Sequence, residues 1–178
     1  SLRNKKILFV VAHPDDETLG AGGTLLKHKS NGDQLFWLNG TKIDDKNPIN
    51  LTKSKERKKE IQKVIKLYGI EEFFQLNYIS TKLNSLTKLP MIQDISEIFT
   101  YVKPEIIYVV NRNDAHSDHR YLCDAVISAS KTFRQPSIKK ILMYECISET
   151  EFSIPLMENA FLPNYFVDIT SFLDKKIE

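Results

Sequence analysis

Two short clusters, His13-Pro14-Asp15-Asp16-Glu17 and Asp114-Ala115-His116-Ser117-Asp118-His119, hold three of the chain's four histidines together with five acids. Histidine and carboxylate at this density can assemble a metal site. A hydrolytic zinc takes three His or Asp/Glu ligands and keeps a fourth position open for water. His13 and Asp16, three residues apart on a turn, can supply two of them. His119 is expected to be the third, because it precedes Leu122 by three residues and Val126 by seven. That spacing puts it on the buried stripe of a helix over 118–131. His116 lies just ahead of this helix, where the positive helix terminus favours a developing oxyanion. Asp15 has no assigned bond and can take a proton from water whose pKa the metal brings towards ~7. Asp118 is expected to hydrogen-bond His116 and hold it protonated. Glu17 is expected to orient ligands or neutralise a helix start. The plainer alternative is a polar strand-to-helix turn with capping acids. Three consecutive acids after His-Pro, matched by a second His–Asp–His cluster, favour the metal.

Something must bring these clusters together across about a hundred residues. Residues 7–11 and 106–110 are unbroken apolar runs, as in strands covered on both faces. Each is followed within a few residues by one cluster. Open parallel sheets place their ligand sites past the carboxyl ends of strands, so convergence is expected. Further strands are predicted at 34–38, 73–76, 138–144 and 165–168. Helices are predicted at 22–30, 53–68, 92–101 and 118–131, with a last one beginning near Ser171. Gly69 closes the second helix. Strands alternating with helices indicate an α/β domain with a mainly parallel sheet. The polar segment 40–51 is expected as a loop over a strand end.

Bulk composition excludes more than it selects. The chain has 178 residues, 25 basic against 23 acidic, a net +2 before any histidine protonates. That length suits one domain, and the balance gives no case for nucleic acid as a partner. Residues 53–66 hold seven basic residues and two acids, read as a solvated helix face. No run approaches the ~18 apolar residues of a membrane span, so no transmembrane segment is expected. Cys123 and Cys146 form no metal-type cluster, which points to a reduced cytoplasmic compartment.

The first cluster and its continuation, Val11-Ala12-His13-Pro14-Asp15-Asp16-Glu17-Thr18-Leu19-Gly20-Ala21-Gly22-Gly23-Thr24, resembles the opening motif of the LmbE-like, or PIG-L, de-N-acetylase family. Asn113–Arg120 resembles its HxDHR signature, with HSDH where HPDH is common. Arg57-x-x-Glu60 ahead of Leu67-Tyr68-Gly69, and Pro163-Asn164 with Val167-Asp168-Ile169, resemble its middle and final segments. The resemblance implies a Rossmann-like three-layer α/β/α sandwich that uses one zinc to hydrolyse acetamides on amino sugars. It implies His13, Asp16 and His119 as metal ligands, Asp15 as general base, and His116 as oxyanion stabiliser and acid, modulated by Asp118. It further implies Arg57 as a substrate contact. Residues 73–93 contain no Asp or Glu, although many members place a substrate-contacting Asp there. Members usually continue past the point corresponding to Glu178, so the single domain over 1–178 is expected to lack its C-terminal end.

The expected activity is zinc-dependent removal of acetyl from an N-acetylated amino sugar or sugar conjugate. The alternatives are an amidase acting on a thiol–sugar conjugate and a catalytically silent sugar-binding relative. Two histidines and one carboxylate also suit Fe2+. The expected partner is a small-molecule N-acetyl amino-sugar substrate, and a homo-oligomer is compatible with the sequence. Gly20-Ala21-Gly22-Gly23 is not a dinucleotide fingerprint, since Leu25 stands where Gly or Ala is needed; close backbone approach at the site mouth is expected instead. His28, among lysines, is expected on the surface, and Cys123 and Trp37 in the core.

Overall fold

Residues 4–177 are described by the computed structural model; the expected interruption at Glu178 falls outside them. Every side chain from Ile7 to Val11 is buried, which requires a central strand with both faces covered. Strand β1 (Lys6–Val11) occupies that position. Beside it lie β2 (Gln34–Lys42) and β4 (Ile106–Val110), and outside these lie β3 (Ile70–Ile79) and β5 (Lys140–Tyr144). The order is β3-β2-β1-β4-β5, and every pairing is parallel. Helix α1 (Asp16–Ser30) packs with α2 (Leu51–Tyr68) and the short α5 (Leu173–Ile177). Helices α3 (Lys88–Val102) and α4 (Ser117–Ala129) pack together on the opposite face. This is the expected three-layer α/β/α arrangement. The strand order reverses between β1 and β4, so a crevice opens where their carboxyl ends part.

Several boundaries differ from the sequence expectation. α1 starts at Asp16, six residues early, because the acids of the first cluster form its first turn and suit its positive end. β2 and β3 run longer than their apolar cores, and the loop over 40–51 shrinks to a few residues and a 3-10 turn, Pro48–Asn50. Residues 165–168 form no strand. Pro163 has no N–H to give a ladder, and Phe166 is 80% exposed, so nothing covers the far face of that run. The last helix begins as a 3-10 turn, Thr170–Phe172, and becomes α5. Gly69 does close α2, in the left-handed conformation at φ 65 that glycine adopts without steric cost.

The glycines of α1 serve helix packing rather than the site mouth. A Cβ at Gly20 would collide with the Tyr144 ring and stand 2.6 Å from the Glu145 carbonyl. Only a bare backbone lets α1 lie this close to β5.

His28 is half-buried instead of exposed. Its Nδ1 pairs with Asp33 Oδ2 at 2.7 Å and its Nε2 with the Tyr108 hydroxyl at 3.0 Å, tying the α1–β2 turn to β4. His28→Ala leaves the buried Tyr108 hydroxyl and the Asp33 carboxylate short of a partner. A loss of about 1–3 kcal/mol is expected, read as a lower urea midpoint with an unchanged slope. None of the described helices is long and apolar enough to cross a membrane.

Candidate active site

Beyond Val11 the chain turns sharply through Ala12, His13, Pro14 and Asp15 before α1 begins. Asp16 makes that turn. Its Oδ2 accepts the backbone N–H of Ala12 at 3.0 Å and of His13 at 2.8 Å, so the carboxylate reaches back across the carboxyl end of β1. Cys146, just past β5, donates its thiol to Asp16 Oδ1 at 3.5 Å. From the second cluster, α4 carries His119 inward to complete burial, as the helical spacing requires. Its Nδ1–H donates to Asp114 Oδ2 at 2.8 Å. The proton on Nδ1 leaves a lone pair on Nε2.

That Nε2 is buried without a hydrogen-bond partner among the described residues, 3.3 Å from Asp16 Oδ2. His13 Nδ1 stands 3.8 Å from the same oxygen. Ligand atoms of His13, Asp16 and His119 all fall within 4.8 Å of one another. Two imidazole nitrogens and a carboxylate oxygen this close could hold a cation between them. A pair of histidines with one carboxylate and an open side suits a catalytic zinc. Without such a cation a proton would substitute. Burial opposes charging His119, but the Asp114 and Asp16 carboxylates outweigh it and push its pKa up to about 10. Burial likewise opposes the ionised Asp16, yet His119 and His13 hold its carboxyl below the ordinary value.

A second group, His13, His116 and Asp118, is equally close. In it, one ring nitrogen of each histidine already bonds Asp118. Asp118 Oδ2 accepts from Thr81 N–H at 2.7 Å and pairs with His13 Nε2 at 3.1 Å. His116 Nδ1 accepts the Asp118 N–H at 3.1 Å. The first group is therefore the metal candidate.

Asp15 stands at the N-cap position of α1 with its side chain half exposed towards a cavity of about 670 Å3. Burial and the Asp16 carboxylate raise its pKa, against the opposing pull of Arg57 and His13. His116 lies across the same cavity, its ring edge-on to His13 at 4.5 Å between centroids. The remaining wall comes from Lys42 at the end of β2 and Ile43 after it, Ser54 and Arg57 of α2, Asn77 of β3, and residues 146–149 after β5.

Residues 8–130 match the PIG-L family, GlcNAc-PI de-N-acetylase. The chain belongs to that family. It is 24% identical over 186 residues to the diacetylchitobiose deacetylase of Thermococcus kodakarensis, covering 97% of this chain and 67% of that protein. To the uncharacterized deacetylase YaiS of Escherichia coli K12 it is 26% identical over 170 residues, covering 92% and 86%. The N,N'-diacetylchitobiose deacetylase structure from Pyrococcus horikoshii superposes with a TM-score of 0.76 at 22% identity, covering 99% of this chain and 70% of that one. At such identity the likeness speaks for the fold alone.

In this PIG-L chain one expected contact is replaced by another. The Asp118 carboxylate does not reach His116; it holds His13, while only the Asp118 backbone N–H meets the His116 ring. The N-cap geometry of α4 explains this, since His116 caps the helix with its own Nδ1 and Asp118 points towards the β3–α3 loop. Burial and the facing His13 ring lower the pKa of His116 against the pull of Asp118, and in the neutral ring the acceptor role of Nδ1 puts the proton on Nε2. Arg57 lines the cavity, but its Nη1 donates to the Pro14 carbonyl at 2.6 Å and lies 3.7 Å from Asp15 Oδ2. It braces the turn that carries Asp15. Glu17 is fully enclosed, accepting from the Thr18 hydroxyl at 2.9 Å, and burial pushes its pKa up to about 7. Asp114, Thr81, Thr150 and Cys146 also shape the site. The Asn-Asp-Ala-His spacing was the one available sign for Asp114; the other three carry no local signature.

Proposed function

We propose that the chain is a metal-dependent N-deacetylase acting on an N-acetylated amino sugar or sugar conjugate, with zinc as the metal and Fe2+ fitting the same donors. The reading rests on one observation above the others. The orphaned Nε2 of His119 converges with His13 and Asp16, and those two line a cavity whose walls also carry the Asp15 carboxylate and His116. His13 Nδ1, Asp16 Oδ2 and His119 Nε2 would hold the cation. When bound, it would polarise the acetamide carbonyl and make water more acidic.

The protein's own groups account for the remainder. Asp15, its pKa raised, is suited to take the proton of the attacking water. His116 can donate its Nε2–H to the oxygen that gains charge as the carbonyl carbon becomes tetrahedral. Breakage of the C–N bond then returns the Asp15 proton to the leaving nitrogen, giving the free amine and acetate. Water supplies the added oxygen, so no other reactant is required. A cavity of about 670 Å3 lies within the range of small-molecule sites. Its walls carry amide, hydroxyl and charged side chains that can bond the hydroxyls of a sugar.

An acetate-release screen over free, nucleotide-linked and lipid-linked N-acetylglucosamine tests this directly. Acetate should appear with at least one class, vanish on chelation and return on adding the metal. Stoichiometric metal with no acetate from any of them would overturn the reading in favour of a silent sugar-binding relative.

A further inference from the structure

The turn that follows β5 touches both deep metal-site residues from behind. Cys146 donates its thiol to Asp16 Oδ1 at 3.5 Å, on the oxygen that the cation would leave free. The Cys146 N–H donates to Thr150 Oγ1 at 2.8 Å, and the Thr150 hydroxyl donates to Asp114 Oδ1 at 2.7 Å. Asp114 in turn receives His119 Nδ1–H at 2.8 Å. Backbone bonds from Glu149 and Thr150 to the Cys146 carbonyl close the turn, and Ala115 N–H donates to the Glu149 carbonyl at 3.0 Å. Ser148, at φ 74, supplies the left-handed step that doubles the chain back.

We infer that residues 146–150 are the positioning element of the metal centre, with Thr150 its principal positioning residue. The inference rests on the metal-site reading above. Thr150 holds one oxygen of a completely buried carboxylate, so Asp114 presents the other to His119 in a fixed orientation. Outer contacts of this kind fix the tautomer and direction of a ligating histidine, and their loss commonly weakens metal binding about 10–100-fold. Cys146 performs the matching task for Asp16 through a weaker donor. The same turn lines the cavity through Cys146, Ile147, Ser148 and Glu149, so one short segment borders both the metal ligands and the substrate.

Zinc affinity by chelator competition, on Thr150→Val, Thr150→Ser and Cys146→Ala, tests the assignment. Thr150→Val should bind zinc about 10–100-fold more weakly, and Thr150→Ser, which restores the hydroxyl, should return to within about threefold of wild type. The visible absorption of the cobalt-loaded protein should change in Thr150→Val and recover in Thr150→Ser. Thermal unfolding of the metal-free proteins separates this from a general loss of structure. Wild-type affinity and spectrum in Thr150→Val, or a Thr150→Ser protein as weak as Thr150→Val, would overturn the inference, as would a wild type that binds no divalent metal. Should Thr150→Val not fold, Cys146→Ala decides: severalfold weaker zinc binding supports the positioning role, on the order of the lower end for outer contacts, and unchanged binding refutes it. A wild type that binds zinc but releases no acetate removes the deacetylase reading and leaves this one standing.

Discussion

Substituting His119 by alanine should yield protein that holds no stoichiometric metal and releases no acetate. Among the three candidate ligands His119 is the one fully enclosed, and its Nε2 lacks any other partner among the described residues. Its removal leaves the Asp16 and Asp114 carboxylates facing each other's vicinity without the ring that separates them. Two donors cannot retain a cation that three barely enclose, so metal content after gel filtration should fall to background. The variant should also be less stable, because uncompensated buried charge typically costs about 3–5 kcal/mol. Elemental analysis of the folded fraction, selected by circular dichroism, is the decisive measurement. Full metal occupancy in that fraction would remove His119 from the ligand set.

The second large effect separates holding the metal from doing the chemistry. Asp15→Asn keeps the size of the side chain and its capping position but removes the proton acceptor. Metal content should remain that of wild type, because the contacts of Asp16 with Ala12, His13 and Cys146 do not pass through Asp15. Acetate release should fall about 10²–10⁴-fold, the usual worth of a positioned acid–base group. The loss should appear in kcat with little change in KM. An Asp15→Asn enzyme with full activity would sink the base assignment.

Which parts of this were legible in the sequence follows from how far each constraint reaches along the chain. β1 and β4 could be read from their unbroken apolar runs because both strands are buried on both faces. The inward direction of His119 could be read because helical period links it to Leu122 and Val126 within two turns. Asp118 escaped the same treatment. Period gives the direction of a side chain from the helix, but its partner is the Thr81 N–H on a loop 37 residues earlier, and no local pattern announces that loop. His28 failed for a related reason. Its neighbours in sequence are lysines, whereas its neighbour in space is Tyr108, eighty residues away on β4. Cys146 and Thr150 reach the site only because β5 is the strand next to β4, a fact of topology. The false strand at 165–168 shows the converse: a short apolar run meets the local criterion, yet the fold provides it with no covered sheet position.

The carboxylate of Asp118 joins His13 to the backbone of Thr81, with Leu83 N–H at 3.4 Å from its other oxygen. The cavity rim is thereby divided into two kinds of territory. Segments fastened to the candidate metal ligands, the β3–α3 loop and the turn after β5, should accept little insertion or deletion without disturbing the site. The stretch from Ile43 to Ser54 sits at the same rim with its hydrogen bonds directed among its own residues, and a solvent-facing Asp44–Lys82 ion pair at 3.5 Å links it to the β3–α3 loop. Diversification of substrate range, whether by natural drift or by loop grafting, has its freest ground there, where a change of appetite need not be a change of chemistry.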